Sequence, residues 1–201
     1  MKKNYFALIL SVLLVFTAGK GLASEKGSMM EDVAGENKGS MMEYKHKRYI
    51  GAKAVAQILG TAEGSSINGT VEFVETENGV QVSANVAGVA AGKHGIHIHE
   101  YGSCDDSGKA AGGHYNPKEV QHGYLPKDGL DSAHAGDMGN IEIDDQGNGT
   151  LSVELPGLSI ASVKNIAGRA VILHEKEDDF GQPTGNAGGR IACGAIVISG
   201  Q

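Results

Sequence analysis

The sequence predicts an all-β domain, an eight-stranded barrel or sandwich, on three observations. Short apolar or alternating segments recur along the chain from Tyr49 onward. Glycine occurs 31 times in 201 residues, which suits many turns and close backbone approaches. No segment carries a convincing amphipathic-helix period, and the composition fits neither collagen nor a long coiled coil.

The predicted strands can be taken in order. Ala52 to Ile58 is apolar and β-favouring. Thr70 to Val74 and Val80 to Val86 alternate with period two, as half-buried strands do. Gly95 to Glu100, Ile141 to Ile143 and Thr150 to Leu155 follow, and Arg169 to His174 and Ile191 to Ser199 complete eight. Asn68-Gly69-Thr70 and Asn148-Gly149-Thr150 match the N-glycosylation pattern, but each contains Asn-Gly directly before a predicted strand and is read as a turn. One irregular stretch, Tyr101 to Gly139, breaks the rhythm. A loop that long in a compact domain is usually functional.

The N-terminus reads as an export signal. Lys2 and Lys3 precede an apolar run from Phe6 to Ala18, and Gly21-Leu22-Ala23 offers small residues for cleavage, so residues 1–23 are predicted to be a signal peptide. The run is short for a membrane span, and no stable span is expected after cleavage. Residues 24–48 are polar and lack apolar periodicity, and are read as a flexible tail. The tail contains a repeat, Lys26-Gly27-Ser28-Met29-Met30-Glu31 and Lys38-Gly39-Ser40-Met41-Met42-Glu43, followed by His46. Its thioether and imidazole groups suit copper(I), although a solvated linker is the favoured reading. The remaining domain spans residues 49–201. Cleavage after Ala23 leaves 14 basic against 24 acidic residues, a net charge of −10, which argues against nucleic acid as a partner. The chain holds two cysteines, and in an exported protein this favours one disulfide.

The histidines carry the chemistry. Seven of the eight fall between positions 94 and 174. His97 and His99 sit two apart on a predicted strand, so both rings leave on one face and can bind one ion side by side. The irregular stretch supplies His114, His122, His134 and Asp137, and His174 ends a later strand. Imidazole suits zinc and copper, and carboxylate is compatible with zinc. This inventory exceeds one tetrahedral site and points to two metals, while spacing alone leaves open which donor serves which.

Several segments resemble the copper–zinc superoxide dismutase family, in particular its exported, bacterial-type members. His94-Gly95-Ile96-His97-Ile98-His99-Glu100 is similar to the family's copper-ligand segment. Gly112-Gly113-His114-Tyr115-Asn116-Pro117 and His134-Ala135-Gly136-Asp137-Met138-Gly139-Asn140 resemble its zinc loop. His174-Glu175-Lys176-Glu177-Asp178-Asp179 resembles the segment of the last copper histidine, and Gly185 to Gly194 resembles the C-terminal signature. The likeness covers roughly Lys53 to Ile198. It implies a Greek-key arrangement of the eight strands, with a long zinc loop and a short active-site loop. Residues 175–189 form that second loop, shorter than in the animal cytosolic members.

The resemblance also implies roles. One copper per subunit would be held by His97, His99, His114 and His174, and one zinc by His114, His122, His134 and Asp137, with His114 bridging the two. Asp178 would link a copper histidine to a zinc histidine. His94 matches a position that is not a ligand and is expected to hydrogen-bond backbone nearby. A Cys104–Cys193 disulfide would tie the zinc loop to the last strand. Arg190 would present a fixed cation to superoxide, the expected substrate, and Thr184 would line the channel. The implied activity is conversion of superoxide to oxygen and hydrogen peroxide by an exported protein, periplasmic or extracellular, with a homodimer as one possible assembly.

Overall fold

The computed structural model describes residues 49–200. The proposed signal peptide, the tail and Gln201 lie outside the described residues. Eight strands form: β1 Lys53–Gly60, β2 Asn68–Glu75, β3 Gly79–Ala87, β4 Gly92–His99, β5 Asp137–Ile143, β6 Gly149–Pro156, β7 Ala170–His174 and β8 Arg190–Gly200. They pair antiparallel in the closed order β1-β2-β3-β6-β5-β4-β7-β8. The β3–β6 and β4–β7 neighbours are not consecutive in sequence, which gives the Greek-key crossing. Closure leaves no open sheet edge.

The period-two pattern chooses the inside of the barrel. Ala54, Ala56 and Ile58 of β1, Val71 and Phe73 of β2, and Val80, Val82 and Ala84 of β3 alternate inward and are buried. Ile96, Ile98, Ile141, Leu155 and Leu173 fill the same core. Two strands are instead buried on both faces. On β7, Val171 and Leu173 enter the core, while Ala170 and Ile172 face a separate cluster with Ala111 and Cys193. On β4, Ile96 and Ile98 point inward, and His97 and His99 point outward yet are also buried. Two long connections therefore cover the outside of the barrel over β4 and β7.

The first connection, residues 100–136, is mostly irregular as expected, but it holds a 3-10 turn at Lys109–Ala111 and a four-residue helix, α1, at Leu125–Asp128. The irregular stretch ends earlier than the sequence suggests, because Asp137 to Gly139 belong to β5. The loop docks on β4 where β5 diverges: Ile98 N–H donates to Gly136 O at 2.9 Å, and Tyr115 N–H donates to Ile98 O at 2.9 Å. A Cβ on Gly136 would collide with Ile98 O, so only glycine permits this approach.

The Cys104–Cys193 disulfide is present and anchors the loop to β8. Arg169 adds a second anchor, with its guanidinium 3.4 Å from the Tyr115 ring centroid and a hydrogen bond to Glu100 O at 2.8 Å. Neither Asn-Gly pair forms the turn expected of it. Asn68 and Gly69 open β2, paired with Ala87 and Val86. The β5–β6 turn falls one step earlier than Asn148, on Asp144 to Gly147, where Gly147 takes φ 83°. Among the described residues, no helix is long and apolar enough to cross a membrane.

Candidate metal centre

The outward faces of β4 and β7 bring three histidines together. His97 pairs with Ile172 and His99 with Ala170 across the strands, and His174, two residues beyond Ile172 on the same face, has its ring centroid 5.0 Å from that of His97 and 5.5 Å from that of His99. His114 reaches them from the covering loop, at an isolated bridge to His99. These four buried side chains form one candidate metal group. His114, His122, His134 and Asp137 form a second, also buried, and His114 belongs to both.

Each ring on the first side has its outer nitrogen held by an acceptor, which turns the other nitrogen inward. His97 Nε2 meets Asp178 Oδ2 at 2.8 Å, His99 Nδ1 meets Gly112 O at 3.0 Å, and His174 Nδ1 meets Gly188 O at 3.4 Å. The inward nitrogens, His99 Nε2 and His174 Nε2, lie 3.3 Å apart. His97 Nδ1 is buried without a hydrogen-bond partner. Two nitrogens each about 2.0–2.1 Å from one tetrahedral ion would stand about 3.3 Å apart. The donors thus have the spacing that a bound ion requires, and an orphaned buried nitrogen faces it.

The second side is organised around Asp137. Its Oδ2 accepts backbone N–H bonds from Gly123 at 2.9 Å and His134 at 3.0 Å. Its Oδ1 lies 2.9 Å from His114 Nδ1 and 3.2 Å from His134 Nδ1. His114 Nδ1 and His134 Nδ1 are 3.4 Å apart, again near the spacing of ligands on one ion. His122 Nδ1 is 2.9 Å from Asp137 Oδ2, at an angle that forms no hydrogen bond. With Nδ1 of His114 committed to this side, its Nε2 is left for the other.

Asp178 joins the two sides. Beside its contact with His97, it meets His122 Nε2 at 3.0 and 3.1 Å. Gly185 passes so close that a Cβ there would clash with the Asp178 carboxylate, and its φ of 77° is one that glycine accepts most readily. His94 lies outside both groups, with its ring nitrogens each 2.9 Å from a backbone carbonyl, those of His174 and Ala90.

Two amides that sequence reasoning did not single out complete the support. Asn140 holds Asp178 by both backbone groups, at 2.7 and 2.9 Å. Gln182 does the same for His122, at 3.0 and 2.8 Å. The Asn140 motif position was visible in the sequence, but nothing there marks an amide as a clamp.

Arg190 opens β8, half-buried, and donates to Gly108 O at 2.5 Å and Gly112 O at 2.6 Å. Gly112 O is also the acceptor for His99, so the guanidinium adjoins the first metal group through one shared atom. Thr184 is exposed on the loop over 175–189.

Burial tunes these groups. It pushes His99 down to about 2, with His114 adding to the effect. Burial and the neighbouring His97 take His174 to about 3. Burial lowers His114 to about 4 against the pull of Asp137. These rings are neutral at pH 7, with lone pairs free for a metal. His122 goes the other way: burial opposes its charge, but Asp137 and Asp178 raise it to about 9. Burial would raise both carboxyls, yet their histidine partners hold them well below the usual range. Burial lowers the Arg190 guanidinium, which stays charged.

A closed Greek-key barrel with two four-donor groups sharing one histidine defines a candidate binuclear metal protein. Residues 67–196 match the sequence model of the copper/zinc superoxide dismutase family, and the chain belongs to that family. It is 43% identical over 135 residues to the extracellular superoxide dismutase [Cu-Zn] of Caenorhabditis elegans, across 64% of this chain and 60% of that protein. The chain thus spans about 60% of the length of this curated relative. It also resembles the crystal structure of the clock protein EA4, with TM-score 0.66 and 34% identity over 75% of this chain and 96% of the other. The family uses copper and zinc, and the donor sets here fit both: four imidazoles for copper, three imidazoles and a carboxylate for zinc.

Proposed function

We propose that the chain disproportionates superoxide to oxygen and hydrogen peroxide. One superoxide loses an electron to become oxygen, and a second gains it, takes two protons and becomes peroxide. Copper held by His97, His99, His114 and His174 would supply the one-electron chemistry, and zinc held by His114, His122, His134 and Asp137 would supply a redox-inert anchor. The sharing of His114 between two buried donor groups carries this reading.

The residues then have distinct tasks. His114 Nε2 would hold a proton on the copper side and pass it to the product, while the ring is kept in place through Nδ1 by Asp137 at 2.9 Å and His134 at 3.4 Å. The second proton comes from solvent. Arg190, aimed by Gly108 and Gly112, draws the anionic substrate in and orients it beside the first group. Thr184 lines the approach. The disulfide holds the Gly108 to Gly112 segment that Arg190 grips, and it supports an exported protein, periplasmic or extracellular.

Metal analysis of the purified protein alongside its superoxide dismutation rate tests the proposal. One copper and one zinc per chain with fast turnover is expected. Full metal loading without turnover would refute it.

A further inference from the structure

We propose that Gln182 is a positioning residue for His122, and that the segment from Asp178 to Gln182 acts as a template for the zinc side. This rests on the reading of His122 as a zinc ligand. His122 lies outside any helix or strand, in the irregular stretch that precedes α1. Both of its backbone bonding groups go to one side chain. Its N–H donates to Gln182 Oε1 at 3.0 Å, and its carbonyl accepts from Gln182 Nε2 at 2.8 Å. An amide 60 residues away thereby supplies the pairing that a neighbouring strand would otherwise give.

Three alternate residues of the same segment meet His122. Asp178 holds ring atom Nε2 at 3.0 and 3.1 Å. Phe180 stacks near the ring, with centroids 6.3 Å apart and planes at 19°. Gln182 holds the backbone. The segment is itself fixed to the barrel, because Asn140 of β5 takes both backbone groups of Asp178. The chain of contacts runs from β5 through Asp178 to Gln182 and returns to His122. His122 is therefore presented from outside, whereas His97 and His99 are presented by their own strand.

Removing the Gln182 amide frees the backbone beneath His122 but leaves every proposed ligand in place. The cost must fall on zinc and spare copper. Losing a group that orients a metal ligand typically weakens metal binding by about 10–100-fold. The purified exported protein is compared as wild type, Gln182→Ala, Gln182→Glu and Glu177→Ala. Glu177, on the same loop, pairs with Lys93 at the surface and serves as the control.

Zinc and copper affinities are read by competition with chromophoric chelators. Cobalt(II) placed in the zinc position reports ligand geometry through its visible bands. Gln182→Ala is expected to weaken zinc about tenfold, to shift the cobalt bands and to leave copper within twofold. Gln182→Glu can accept from the His122 N–H but cannot donate to its carbonyl, so it falls between. Glu177→Ala changes neither metal. A Gln182→Ala zinc affinity within twofold of a normally binding wild type overturns the positioning role alone. Equal losses of copper and zinc also overturn it, since they indicate general destabilisation. A wild type that takes up no zinc overturns both this inference and the proposed function.

Discussion

Asp178→Asn is the sharpest single-residue test of the centre. The carboxylate accepts on both sides: from His97 at 2.8 Å, from His122 at 3.0 and 3.1 Å, and from the Phe180 N–H at 2.8 Å. When the two rings bind metals through Nδ1, each presents an Nε2–H, and both need an acceptor. An asparagine amide offers one oxygen and one NH2 group, so one ring must face a donor. A hydrogen bond to a charged group is worth about 1.5–3 kcal/mol, and about 1.4 kcal/mol is a factor of ten. Metal affinity should therefore fall by roughly 10–100-fold with every proposed ligand still present. The larger share is expected on zinc, because His122 makes two contacts to the carboxylate and has no strand beneath it. Chelator competition at fixed pH measures the loss. Unchanged zinc affinity in this variant would falsify the linking role given to Asp178.

Other expectations follow from the same geometry. If zinc binds His122 as proposed, its uptake displaces a proton from that ring, which Asp137 and Asp178 raise to about 9, whereas burial takes His99 and His174 to about 2 and 3 and leaves them neutral at pH 7. Between pH 6 and 8 zinc affinity should thus rise by roughly tenfold per pH unit and copper affinity should rise less, as titration calorimetry in buffers of different ionisation enthalpy can check. Arg190→Ala should lower kcat/KM roughly tenfold, about 1.4 kcal/mol, with both metals retained. Added salt should slow the wild type modestly and this variant less, and a wild-type rate that climbs with salt would count against the attractive role of Arg190. Reduction of Cys104–Cys193, separated by 89 residues, should lower thermal stability by up to roughly 4–5 kcal/mol in the chain-entropy account. Unfolding scans with and without reductant would show it, and coincident curves would contradict it.

Much of the fold was legible because strand burial has a two-residue period that short sequences display. Ala54, Ala56 and Ile58 alternate in the sequence and alternate into the core. The donor residues were legible for a similar reason: imidazole and carboxylate advertise metal chemistry by type, and His97 and His99 share a face by spacing alone. The turn reading of the two Asn-Gly pairs did not hold, because strand pairing reaches Asn68 and Gly69, and Gly147 supplies the left-handed residue of the β5–β6 turn.

What only the tertiary structure decided concerns contacts between residues far apart in the chain. The sequence by itself could name eight strands, a cluster of metal donors and a pair of cysteines, since each is a local pattern or a residue type. It could not tell that β4 and β7 are covered on their outer faces, because the cover is a folded-over loop that sets Ala111 against Ala170 and Ile172 of β7 and His114 against His99 of β4. Nor could it tell which nitrogen of each ring points inward. That choice belongs to Gly112 O, Gly188 O and Asp178, the acceptors that hold the opposite nitrogen. Gln182 and Asn140 are ordinary loop and strand amides until the fold sets them against the backbones of His122 and Asp178, 60 and 38 residues away. A hydrogen bond has a reach of about 3 Å, so which amide becomes a clamp is settled by folding and not by residue type.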